Sequence, residues 1–370
     1  MGLLRFFERP ERSLVRHVDP VRVIGGSRAK IAVVTMVKNE IDIIDDFLAH
    51  HLPIVDRIYV ADHLSSDGTF ELLQARARTE KRIRVLRFDY EQHFQGAVVT
   101  AVSRQAVDDG ADWIFPLDAD EFLPFREGEA LRSAVRAADS EIVTLAWANL
   151  VPEPLPESVG PVDWSRPFLT LPDFPASTKT AFSAELVRLH KDFVVGEGSH
   201  HVSFRGKGPT SRPRMSSLVH LPIRSLQQAH SKFRSGAASM AAIHRREAKL
   251  GSHWDVFTKV YEGGITPRDA QSMALQYEKK DYVDVVDQAV PMIFEPNGRF
   301  SGSVEKVPSM NRTAKHSKLM MTEVIGVVRD EVIELRARPM WRVQRLGHHL
   351  RWAPAGLRRR VAAARGKRRP

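Results

Sequence analysis

The chain has 370 residues, 43% of them hydrophobic and 27% charged, a composition that excludes intrinsic disorder. It contains no cysteine, which excludes disulfides, thiolate metal sites and thiol nucleophiles, and no apolar run long enough to read as a membrane span. The net charge of +10 is uneven: twelve Lys or Arg and no acid lie in 336–370, and without that tail the balance is 43 basic to 45 acidic residues.

In chain order, residues 1–28 read as a polar, Arg-rich lead-in. The short apolar start, Met1 to Phe7, runs into Glu8, Arg9 and Pro10 without a small-residue cleavage site, so it does not read as a signal peptide and a cytoplasmic protein is expected. Strands are predicted over 31–37, 57–61, 83–88 and 113–117, and helices over 40–52, 69–77 and 96–108. Strand and helix alternate as right-handed crossovers onto a parallel sheet require, so 29–150 is expected to form an α/β nucleotide-binding half. A further strand is expected over 142–150. Residues 151–335 read as a second half, with a Pro-rich irregular stretch over 151–180 and short strands over 186–221. Helices are predicted over 225–250, between 268 and 290 and over 319–335, with a loop over 295–318. In the tail, 336–370, Trp341, Leu346, Leu350, Trp352 and Leu357 interleave with arginines. That pattern suits an interfacial helix on the anionic inner face of a membrane, with a solvated or packed basic tail as the alternative and nucleic acid the least favoured partner.

In parallel sheets ligands bind beyond the carboxyl ends of the strands. Three such ends carry polar residues: Lys38-Asn39-Glu40, Asp62 through Ser65-Ser66-Asp67-Gly68-Thr69, and Asp118-Ala119-Asp120-Glu121-Phe122. If the third is extended, Asp118 and Asp120 project to one side as a carboxylate pair suited to Mn or Mg, which share oxygen ligands with substrate phosphates; a turn with solvated acids is the alternative. Asp67 and Thr69 read equally as a turn and helix cap, while Asp62 is the better candidate for a nucleobase N–H or ribose hydroxyl. In the second half Ser225 and Gln228 fit a capping box, and His220, Arg224 and Lys232 are donors able to reach a diphosphate or else surface charge. His200, in the Gly-flanked loop 196–201, is a candidate third metal ligand. Glu197 is a candidate general base, alongside Asp163, Asp173 and Asp192.

Taken together, Val37 to Glu40, Asp62 to Thr69 and Trp113 to Phe122 resemble the family 2-like glycosyltransferases. They resemble more narrowly the bacterial subgroup with a Lys-Asn-Glu start and an Asp-x-Asp-Glu-Phe centre, related to family 92. The resemblance covers about residues 30–125, and His220-Leu-Pro222-Ile-Arg224-Ser225 resembles a later segment of the same subgroup. It implies a GT-A fold, a nucleotide-sugar donor and a glycan or lipid-linked acceptor. It also implies a divalent metal on Asp118 and Asp120, a nucleoside held by Lys38, Asn39, Glu40, Asp62 and Asp67, and further donor contacts from Gln95 and Arg104. His63 departs from the family, where many relatives have Asn. UDP-sugars and inverting chemistry are the expectation from that analogy. The alternatives are a sugar-nucleotide nucleotidyltransferase, disfavoured because the first strand lacks a Gly-rich, Arg-containing loop, and an inactive GT-A-like protein bound at a membrane surface.

Overall fold

The computed structural model describes residues 28–89, 94–172, 177–206, 208–209, 211–241, 264–277, 283–298 and 317–318. The lead-in before residue 28, the helix expected over 319–335 and the basic tail lie outside the described residues. Among those described, no helix is long and apolar enough to cross a membrane.

β1 (Ile31–Val37) is buried along its whole length. Such an all-apolar run needs cover on both faces, which a parallel sheet flanked by helices supplies. β1 pairs parallel with β2 (Arg57–Asp62) and with β4 (Trp113–Pro116), and β2 pairs parallel with β3 (Ile83–Arg87). Three crossover helices join them: α1 (Ile44–His51), α2 (Thr69–Thr79) and α3 (Gln95–Asp108). α1 begins later than its apolar spacing predicts, because the carbonyl of Glu40 accepts from both Ile43 and Ile44 N–H and a turn comes first. Gly96 in α3 packs so closely on the 195–197 backbone that a Cβ would lie 2.7 Å from Val195 O.

After α3 come β5 (Glu121–Phe122), α4 (Gly128–Ala137), β6 (Ile142–Asn149), β7 (Val151–Pro152), β8 (Phe168–Thr170), β9 (Thr178–Ser183) and α5 (Ala184–Leu189). They are followed by β10 (Val194–Val195), β11 (Val202–Ser203), β12 (Arg214–His220), α6 (Leu226–Ala241), α7 (Pro267–Leu275), β13 (Val290–Met292) and β14 (Ser317–Lys318). The main sheet has the order β14-β3-β2-β1-β4-β9-β6-β12-β5 and is mostly parallel; β9 runs antiparallel to both its neighbours, β4 and β6. β7, β8 and β13 form a separate three-stranded sheet.

Two expectations change here. The stretch expected to be irregular over 151–180 contributes the start of β9, a strand in the middle of the main sheet. Residues 186–189, expected as strand, belong to the helix α5, because the Ser183 hydroxyl accepts the Leu186 N–H and caps its start. Alternation along β1 then sorts the core into two layers. Val33 and Val37 pack with Phe47, Leu48, Leu73, Leu131 and Phe233 on one face, while Ala32 and Val34 pack with Val98, Val102 and Ala106 of α3 on the other.

At the end of α1 two consecutive histidines are buried. Burial pushes the pKa of His50 down to about 4, with Arg126 adding to the effect, and holds His51 well below its usual value. In the unfolded chain both protonate near pH 6.5, so between pH 6.5 and 4 the unfolded state binds more protons and stability is lost as pH falls. For His50 the loss approaches about 3 kcal/mol at pH 4. The melting temperature is therefore expected to fall from pH 7 to pH 4.5 more steeply in the native protein than in His50→Gln; equal slopes would show that His50 is not held neutral.

Candidate functional site

In-register pairing of β1 with β2 and β4 sets their carboxyl ends side by side. The loops after β1 and β2 staple each other. Asn39, at φ 58°, donates its N–H to Ser65 Oγ (3.0 Å) and accepts the Ser66 N–H at Oδ1 (2.8 Å). Glu40 N–H reaches Thr69 Oγ1 (2.9 Å), Ile41 N–H reaches Asp67 Oδ2 (3.1 Å), and Asp67 Oδ1 takes both the N–H and the hydroxyl of Thr69. Asn39 and Asp67 therefore hold the two loops together, while Lys38 stands exposed at the rim. Asp62 is fully buried; its Oδ2 takes the Ser65 N–H (3.3 Å), its Oδ1 has no hydrogen-bond partner among the described residues, and burial raises its pKa.

The segment after β4 is not extended. Glu121 N–H donates to Asp118 O (3.1 Å), which makes Asp118 to Glu121 a tight turn with Ala119 and Asp120 at its corner. The expected same-side pair is thereby corrected: the two carboxylates address different partners. Asp118 Oδ2 accepts from Lys179 Nζ (2.6 Å) and its Oδ1 from Gln95 Nε2 (2.7 Å). Lys179 lies on β9, is fully buried, and also sits 3.3 Å from Glu121 Oε1. Glu121 accepts the Asp118 N–H at Oε2 (2.8 Å) and the Trp147 indole N–H at Oε1 (2.7 Å); burial raises its pKa well above the usual range, against the pull of Lys179.

Asp120, 3% exposed, faces the second half of the chain. Its Oδ2 accepts from Lys232 Nζ (2.9 Å), with Arg224 Nη1 at 3.8 Å. Burial works against its ionisation, but these cations prevail and hold the carboxyl below its usual range. Arg224 in turn grips Asp42 through two hydrogen bonds (2.8 and 2.9 Å) and Glu40 through one (2.6 Å), which ties the loop after β1 to the end of β12. Burial, opposed by Arg224 and reinforced by Asp120, lifts Glu40 to about 7.

Asp120 Oδ1 is buried with no hydrogen-bond partner among the described residues, and His220 Nε2 lies 3.8 Å from it. Asn149 fixes the tautomer of that ring: its Nδ2 donates to Leu275 O (3.2 Å), so its Oδ1 accepts from His220 Nδ1 (2.8 Å). Burial lowers His220 to about 3, so the ring is neutral and Nε2 bears a lone pair. Two lone-pair atoms thus face each other with no proton between them, beneath Trp147, which stacks on His220 at 4.1 Å.

The remaining candidates serve other contacts. Gln95, besides holding Asp118, accepts the Gly198 N–H at Oε1 (3.3 Å), and Glu197 Oε1 accepts the Gly96 N–H (3.1 Å), so both dock the 197–199 turn on α3. His200 Nδ1 donates to Thr178 O (2.9 Å), and its Nε2 lies against Gly198, whose φ of 67° and missing Cβ make room for the ring. Arg104 donates to the carbonyls of Lys191 and Phe193. Asp163 caps Ser165, Asp192 takes the Arg205 N–H, and Asp173 lies outside the described residues. Among the described residues no three His, Cys, Asp or Glu side chains gather as a metal shell, so Asp118, Asp120 and His200 do not converge as expected. The sequence reading missed Lys179 and Trp147, since a lone Lys in a segment read as irregular carries no signal.

A mostly parallel sheet with polar loops at the ends of β1, β2 and β4 defines a GT-A type of nucleotide-binding fold. Residues 32–159, about a third of the chain, match the family model described as glycosyl transferase family 2, and the protein is a glycosyltransferase. No curated protein matches the chain. Solved structures similar to it include residues 1–349 of TarS from S. aureus in complex with UDP-GlcNAc (11% identity, 66% of this chain and 81% of that one, TM-score 0.33). Another is the mannosyltransferase PcManGT from Pyrobaculum calidifontis with GDP-Man and Mn2+ (20% identity, 67% and 72%, TM-score 0.33). A third is 4-diphosphocytidyl-2C-methyl-D-erythritol synthase from Anaerococcus prevotii (11% identity, 57% and 96%, TM-score 0.31). Likeness at this level defines neither donor nor acceptor.

Removing Lys179 leaves Asp118 and Glu121 buried or half-buried side by side without their shared cation. Lys179→Met is expected to destabilise the protein by about 3–5 kcal/mol in urea unfolding. A cost under about 1 kcal/mol would show that the two acids do not depend on it.

Proposed function

We propose that the protein moves a sugar from a nucleoside-diphosphate sugar, UDP-linked by preference, to a hydroxyl of a glycan or lipid-linked acceptor, with inversion. The observation that carries this reading is a pair of buried carboxylate oxygens without a hydrogen-bond partner among the described residues, Asp62 Oδ1 and Asp120 Oδ1, beyond the carboxyl ends of β2 and β4, the two strands that flank β1. Buried acceptors without donors are costly, and a bound ligand that supplies the missing donor or cation relieves both.

Asp62 would accept a nucleobase N–H, and the exposed Lys38 would meet the ribose or phosphate. Asp120 and His220 fit a divalent ion, Mn or Mg: one hard oxygen and one neutral imidazole nitrogen, both without a proton between them. Asp118, with both oxygens already engaged, and His200, bonded to Thr178 O, fit less well. When bound, the ion supplies positive charge to the departing diphosphate. The chain's own residues do the rest. Lys232 and Arg224 keep Asp120 anionic, Lys179 and Gln95 fix Asp118, and Trp147 shields His220 from water. Residues 29–150 thus serve the donor. The 151–335 half provides the acceptor side and also reaches back to the donor turn through Lys179, His220, Arg224 and Lys232. We place the chain in the Lys-Asn-Glu subgroup on its quoted motifs, and assign the basic tail to an anionic membrane surface.

A panel of nucleotide-sugars incubated with the full chain and Mn2+ tests this. Hydrolysis of a UDP-sugar, abolished by EDTA and by Asp120→Ala, is expected. Asp62→Ala should raise donor KM about tenfold, the equivalent of one hydrogen bond to a buried acceptor. Turnover that survives both chelation and Asp120→Ala would overturn the proposed site, and a preference for non-uridine donors would overturn the UDP assignment.

A further inference from the structure

The donor turn needs an anchor on each side. On one side β5 pairs antiparallel with β12, and Leu221 N–H donates to Asp120 O (2.8 Å). On the other side β5 is the edge of the main sheet, and Leu123, the residue that follows it, is fully buried there. A strand edge in the interior leaves main-chain groups that require partners.

Two side chains from the end of α1 supply them. Leu123 N–H donates to His51 Nε2 (3.4 Å), and His50 Nε2 donates to Leu123 O (2.7 Å). The tautomers interlock. Asn297 N–H donates to His50 Nδ1 (3.0 Å), so the proton of that ring sits on Nε2. His51 Nδ1 donates to Phe47 O (2.8 Å), so its Nε2 is free to accept. One imidazole therefore gives and its neighbour takes, as an adjacent strand would. Both rings also pack on Phe122, at 5.3 and 6.0 Å between centroids. The two contacts are unequal: Leu123 O also receives Phe125 N–H (2.9 Å), whereas Leu123 N–H has His51 alone among the described residues.

We propose that His50 and His51 are positioning residues for sugar transfer, a two-imidazole surrogate strand that holds Leu123 and thereby fixes where Asp120 and Glu121 stand. The role rests on the reading of the Asp118–Asp120 turn as the donor site. Both rings hydrogen-bond main-chain groups, at Leu123, Phe47 and Asn297, so each acts on the turn through the main chain. A leucine would fill the same space but could offer Leu123 nothing, whereas a glutamine can replace the lost donor at 50 or the lost acceptor at 51.

The test compares His50→Gln, His51→Gln, His50→Leu and His51→Leu in the full chain with two readouts, hydrogen exchange of the 118–123 segment and steady-state kinetics on the nucleotide-sugar. In His51→Leu the Leu123 amide is expected to exchange at least about tenfold faster. Its kcat should fall by on the order of 100-fold while donor KM changes little, as misplacement of a reacting group by about 1 Å would produce. His50→Leu should show a smaller loss, and both glutamine variants should recover most of the activity. If His51→Leu does not fold, His51→Asn, too short to reach Leu123, takes its place. Leucine variants as active as the glutamine variants, with unchanged exchange, would overturn the proposal and leave the histidines as core filling. Exchange that changes as expected in a protein that turns over no nucleotide-sugar would instead keep the clamp and remove the donor-site reading.

Discussion

The structure depends on keeping a buried carboxylate charged. Asp120 sits at the corner of a turn with almost no exposure, where ionisation is opposed by the loss of solvent. Lys232 from α6 and Arg224 from the segment after β12 hold it anionic, and Arg224 is itself held by Glu40 and Asp42 from the loop after β1. One chain of charges therefore links three elements that are distant in sequence. The loop after β1, the turn after β4 and the segment 224–232 meet there, and Asp120 Oδ1 has no hydrogen-bond partner among the described residues.

Much of the first half could be read in the residues. β1, β2 and β4 are short β-branched or apolar runs between helical spacings, and their polar carboxyl ends stood out because the parallel-sheet rule says where to look. The second half was harder for a physical reason. β9 pairs with β4 and β6 across large sequence separations, so the environment that makes it a strand is absent from its own neighbourhood. Lys179 lies on that strand, and its importance is set by Asp118, 61 residues earlier. The same applies to His220. Its spacing from Pro222 and Arg224 marked it as a candidate, but the neutral tautomer that turns Nε2 toward Asp120 depends on Asn149 and Leu275.

The turn itself shows how one hydrogen bond changes a functional reading. Residues two apart share a side only in an extended segment. The bond from Glu121 N–H to Asp118 O closes a corner instead, and the two acids separate into a pinned one and an available one. Asp118 then resembles a keystone between β9 and α3, and Asp120 with His220 is the pair we propose for the metal. The loops after β1 and β2 behave alike: Asn39 and Asp67 brace the rim, while Asp62 Oδ1 has no hydrogen-bond partner among the described residues.

The division of work between the two histidines of the second half can be measured directly. With Mn2+ bound, pulsed EPR of the full chain reads nitrogen nuclei in the metal's coordination sphere. A coupling from one imidazole is expected that vanishes in His220→Ala and persists in His200→Ala. A coupling that survives loss of His220, or disappears with loss of His200, would contradict it.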